Sequence, residues 1–219
     1  MVKGLGFLQK INTSILRPAD LWEDVLEESF GKSFLYLFLL FFFSFIPDIP
    51  QALNQIIQRS STILNGIATY FFMLFVIFFV IALVYVVYAG FFYVISYIFL
   101  NQARYIEGLK ILIYSFTLPY LVVFVYNIVN TIVYVITGRA IPIDSSAGMF
   151  LSMIYFVTLV LSFLYSLYVQ YTALSVSKDS VGRKIGVICV SAGIILFLVI
   201  AIALGIFILL EVLQALIAL

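Results

Sequence analysis

The chain has 219 residues, 65% of them hydrophobic and 10% charged, with a net charge of +1 and a mean hydropathy of +1.25. Ordinary soluble domains are about 45–50% apolar and about 25% charged, so this composition excludes a soluble globular domain and identifies a polytopic membrane protein. The near-neutral balance gives no electrostatic case for nucleic acid. Histidine is absent and Cys189 is the single cysteine, which leaves no ligand set for a transition metal and no intramolecular disulfide.

Residues 1–32 read as an amphipathic cytoplasmic or interfacial segment, and 33–219 as the membrane bundle. Val2, Leu5, Phe7, Leu8, Ile11, Ile15 and Leu16 share one loose helical face, with Lys3 and Lys10 away from it. Pro18 suits either a break or the first turn of a new helix. Beyond it, Leu21, Trp22, Val25, Leu26 and Phe30 lie opposite Asp20, Glu23, Asp24, Glu27 and Glu28. Two placements fit: an element from Pro18 through Trp22 lying in the lipid interface, or a solvated helix packed under the bundle. The first apolar run starts near Ser33 with no small-residue cleavage pattern after it, so it reads as a retained span and not a signal peptide. The Asn12-Thr13-Ser14 sequon falls on the cytoplasmic side by charge counting and is a chance match.

The expected spans are about 33–50, 67–100, 111–138, 147–173 and 185–210. Asp48 falls at the far interface of the first, and the polar stretch 51–61 reads as an external loop or short surface helix. From Ser60 to Ala103 there is no Asp, Glu, Lys or Arg. As one helix, 67–100 would be about 50 Å long against a hydrocarbon core of about 30 Å, so it is one tilted helix bent near Gly90 or two short spans. Asn101–Lys110 is expected as a short basic loop before the third span. A single crossing puts Lys3, Lys10, Arg17, Lys32, Arg104, Lys110, Lys178, Arg183 and Lys184 on one side, with only Arg59 and Arg139 on the other. A double crossing would split them five against six. The positive-inside rule selects the single crossing. The expected fold is therefore an all-α bundle of five spans, amino terminus inside and carboxyl terminus outside.

No motif for catalysis occurs: no phosphate-binding loop, no zinc-protease helix, no histidine for a triad, no intramembrane carboxylate pair. No span carries Asp, Glu, Lys or Arg near its centre, which argues against ion-coupled transport. The expectation is a protein that is not an enzyme and holds no cofactor. Two polar features remain. Asn127, Asn130 and Thr131 sit in the third span, and Tyr155, Thr158, Ser162, Ser166 and Gln170 form a stripe on the fourth. A polar side chain in hydrocarbon needs a protein partner, so the two sets define a polar seam that either binds a ligand or partner helix or bonds helix to helix within the bundle. In the last span, Ala201 and Gly205 have the small-xxx-small spacing of a helix-packing face.

The layout resembles a family. An amino-terminal amphipathic segment with a proline shortly before an aromatic (Leu16-Arg17-Pro18-Ala19-Asp20-Leu21-Trp22) precedes five spans. A short basic loop (Ala103-Arg104-Tyr105) leads into a third span with an early proline (Tyr114 through Pro119), and the last span carries glycine. This is similar to the YIP-domain family, named for its interaction with Ypt/Rab GTPases, and to related prokaryotic five-span proteins. The resemblance implies a non-enzymatic scaffold that binds other membrane proteins or itself. This chain lacks the family's long cytosolic amino-terminal region. Its short, histidine-free form matches a prokaryotic member, which would sit in the cell membrane. The alternative from the residues alone is a small permease, or a lipid- or small-molecule-binding subunit, using the polar seam.

Overall fold

The computed structural model describes residues 6–50, 63–100, 105–137, 145–174 and 181–193. All elements among them are helical. Helix α1 (Phe7–Leu16) starts where Gln9 Oε1 accepts the Gly6 N–H at 3.0 Å. It stops at Arg17, whose backbone leaves the helical region because the next residue is proline. Pro18 then opens α2 (Pro18–Glu27), where its missing N–H removes nothing the helix needs. Of the two placements for this segment, the observed one is packed: Pro18 is buried, and Leu21, Trp22 and Val25 are fully enclosed in the core. The indole is therefore inside the protein and not set among lipid headgroups.

Helix α3 (Phe30–Phe45) ends in a 3-10 turn at Ile46–Asp48, where Pro47 cannot donate to the α-helical ladder. The long apolar run is one uninterrupted helix, α4 (Ile63–Leu100, 38 residues). Its buried residues are Gly66, Tyr70, Leu74, Phe78, Tyr85, Tyr88, Ala89, Phe92, Ile95, Ser96 and Leu100. Steps of three, four and seven keep them on one face, and the rest of the helix presents exposed Phe, Val, Leu and Ile. The two-short-helix alternative is thereby excluded.

The third span differs from the expectation in two ways. It starts earlier, so Tyr105–Lys110 is not loop but the first turns of α5 (Tyr105–Ser115), buried against α4 from Gly108 onward. It is also broken at Phe116, after which α6 (Thr117–Thr137) continues. Pro119 is the cause: it lacks the N–H that would bond Ser115, and its ring crowds that carbonyl. Helix α7 (Ser146–Leu174) completes the fourth span within a residue of its expected ends. Residues 181–193 form α8. Most of the expected fifth span, with Ala201 and Gly205, lies outside the described residues, as do the 51–61 loop, Arg59 and Arg139.

Among the described residues, four helical stretches are long and apolar enough to cross a membrane: Phe30–Asp48, Leu64–Leu100, Tyr105–Thr137 and Ser146–Leu174. The core sits toward one end of the bundle. There α2, the start of α3, the end of α4, α5, the end of α7 and α8 share a single hydrophobic cluster. Two glycines permit close crossings at that end. A Cβ on Gly108 would lie 3.3 Å from the Phe92 ring, and one on Gly186 would lie 3.1 Å from Phe99.

Candidate functional site

The expected seam between the third and fourth spans is divided among three different contacts. On α6, Asn127 and Thr131 point to α3 and not to α7. Asn127 Nδ2 donates to the Ser44 carbonyl at 3.0 Å, and the Thr131 hydroxyl donates to the Pro47 carbonyl. The 3-10 turn at Pro47 interrupts the α-helical ladder, and the two side chains supply donors to carbonyls at that turn. Asn130 is half-buried. On α7, Ser162 and Ser166 are buried and bond back to Leu159 and to Ser162 in their own helix, at 2.7 and 2.9 Å. Thr158 is exposed and bonds Ile154 in the same way. Gln170 reaches α4, its Oε1 accepting from the Tyr88 hydroxyl at 3.3 Å, while its Nε2 has no hydrogen-bond partner. Of the expected seam residues, Tyr155 is the one that links the two spans, its ring stacked on Tyr126 with centroids 4.1 Å apart. The polar residues therefore act singly, each at a place where the backbone or a neighbouring helix needs it.

A second polar centre, not anticipated from the sequence, lies where the amino-terminal helices meet the bundle. Lys10 Nζ pairs with Glu28 Oε2 at 2.5 Å and donates to the Tyr114 hydroxyl at 3.0 Å. The Glu28 Oε1 atom accepts from Ser33 at 2.8 Å and from Tyr114. Lys110 Nζ donates to the carbonyls of Leu26 and Glu28, the last acceptors of α2, where a cation also meets the negative end of the helix dipole. Tyr36 stacks on Tyr114 at 4.5 Å and bonds Thr117. Lys10 and Lys110 are each less than a tenth exposed. Burial alone would raise the Glu28 pKa, but hydrogen bonds from Lys10, Tyr114 and Ser33, together with the Lys10 charge, outweigh it and hold the carboxyl below its ordinary 4.5.

Two further bonds fasten the same amino-terminal unit to α7. Trp22 Nε1 donates to Thr172 Oγ1 at 3.0 Å, and the Tyr165 hydroxyl donates to the Ile15 carbonyl at 2.5 Å. Lys10 lies off the apolar face of α1 and Lys110 lies among apolar neighbours, which is the one signal in the sequence that pointed here. Nothing in the spacing tells that residues 10, 28 and 114 meet. Among the described residues no group of three or more potential metal ligands occurs. No protein-family model matches this chain, and no curated protein or solved structure matches it either.

Proposed function

We propose that this protein is an integral membrane scaffold or adaptor without enzymatic activity, a five-span bundle with its amino terminus inside and its carboxyl terminus outside, of the YIP-domain type that it resembles. It binds other membrane proteins or copies of itself. The observation that carries this reading is the use of the intramembrane polar groups. Asn127 and Thr131 are taken up by carbonyls at the end of α3, as expected of groups that hold helices together, and Ser162 and Ser166 by carbonyls of their own helix. The long exposed apolar face of α4 leaves area for helix partners.

The permease or ligand-binding reading keeps one observation, the buried Gln170 amide with its unpartnered Nε2. One experiment separates the two. The protein is isolated in native-lipid nanodiscs and its co-purifying proteins and lipids are identified by mass spectrometry. A stoichiometric protein partner, or a homo-oligomer, is the expected result. A single enriched small molecule that is lost in Asn127→Leu/Gln170→Leu would replace the scaffold reading with the ligand-binding one.

A further inference from the structure

Between α6 and α7, in the half of the bundle remote from the Lys10–Glu28 centre, the two helices enclose an open slot of about 280 Å³. On α6 it runs from Leu118 to Val129, and on α7 from Leu151 to Thr158, each along one helical face. At 1.5 Å per residue the α6 wall is about 16 Å long, roughly half the hydrocarbon thickness of a bilayer. Among the described residues its lining is apolar apart from Tyr126, Tyr155 and Thr158, with no charged residue. The two tyrosine rings are stacked on each other, and the Thr158 hydroxyl is already donated to Ile154.

From this geometry we infer that the slot is a binding site for one acyl chain of a bilayer phospholipid. Its α6 wall is about as long as one leaflet is thick, and its α7 wall covers about 10 Å of that length. The volume spread over that length leaves a cross-section several-fold smaller than that of an α-helix, which is about 10–12 Å across. A second copy or a partner helix therefore does not fit inside it. With no charged group in the lining, a headgroup or a polar solute gains nothing there, whereas a hydrocarbon chain replaces dispersion contacts that an empty slot forfeits. The headgroup stays outside the slot, at the membrane surface. The inference rests on the membrane reading of the chain and not on the scaffold reading.

The test is photolabelling in nanodiscs of phosphatidylcholine carrying a diazirine midway along one acyl chain, with the labelled residues mapped by mass spectrometry. The exposed α4 face around Phe72, Phe79 and Leu83 serves as the reference for ordinary lipid contact. The expected result is about fivefold more label per residue on the slot walls than on that face, a difference of about 1 kcal/mol. Val125→Phe/Ile154→Phe fills the slot from two positions that are themselves about half exposed, and it should bring the ratio back to that of α4. Equal labelling of the slot and α4 in the unaltered protein would overturn the inference, whether or not the filled variant folds. So would enrichment that survives filling. Because the readout is lipid contact, its failure leaves the scaffold proposal standing, and a missing protein partner leaves the lipid site standing.

Discussion

Glu28 is the acid on which the amino-terminal docking depends, because among the described residues it is the counter-charge hydrogen-bonded to buried Lys10. Neutralising it strands that ammonium in a site with little water, and breaking a buried pair from one side costs about 3–5 kcal/mol. Glu28→Gln should therefore destabilise the protein by about that much in denaturant unfolding, whereas Lys10→Met/Glu28→Gln should recover much of the loss. A double variant no more stable than Glu28→Gln would show that the charge pair is not what matters. The pH dependence follows from the lowered pKa of Glu28. Its stabilising contribution is complete above the unfolded value near 4.5 and is lost as pH falls through the lower folded value. Unfolding monitored between pH 6 and pH 3, at roughly the range where carboxylates titrate, should show a steeper acid loss in the unaltered protein than in Glu28→Gln. At the same scale, Trp22→Phe removes one bond to Thr172 and should cost about 1 kcal/mol, while Trp22→Ala should cost about 3–5.

Elements were easier to read from this sequence than sites, and particular residues explain why. Apolar periodicity and Pro18 mark both amino-terminal helices, because each acts within one turn of itself. The charge-free run marks the place of α4 but leaves one long helix and two short ones both open, and the structure shows one. Glu28, Lys10 and Tyr114 are 18 and 86 positions apart along the chain, and no local rule relates them. The seam on α6 and α7 is a face-level pattern that is right about burial of Ser162, Ser166 and Gln170. It does not tell which helix each side chain bonds, because the carbonyls at the Pro47 turn that Asn127 and Thr131 reach are invisible in the sequence of α6. Glycines separate in the same way. Gly90, mid-helix in α4, has no heavy atom within 4 Å of a built Cβ, so Gly90→Ala should stabilise by about 0.5–1 kcal/mol through helix propensity alone. Gly108 faces Phe92, which is buried and cannot withdraw, so Gly108→Ala should destabilise in spite of the same propensity gain. Thermal unfolding of the two variants in the same nanodiscs should give shifts of opposite sign.

At the scale of the whole molecule, the length of α4 has to be reconciled with the bilayer. Its 38 residues extend about 57 Å, nearly twice the hydrocarbon thickness. Tilting cannot absorb the excess, since membrane helices tilt by about 20° on average and rarely beyond about 40°. Part of α4 must lie outside the hydrocarbon, and the packing indicates which part. From Phe92 to Leu100 its inward face is covered by α5 through Gly108, and Phe99 is met by Gly186 of α8. The Tyr105 hydroxyl donates to the Val86 carbonyl at 2.9 Å, fastening the returning chain alongside. The amino-terminal helices complete this collar, which accounts for a core displaced to one end. In the five-span arrangement proposed above, α4 crosses once and this collar lies on the side of the amino terminus. Topology is then testable with single cysteines after Cys189→Ala, which removes the exposed native thiol. A cysteine at Gln102 should react with a membrane-impermeant maleimide only in inverted vesicles or after lysis, as should one at Asn12. Reaction of the Gln102 position from outside intact cells would mean that α4 does not cross in the way proposed, and the five-span arrangement would fall with it.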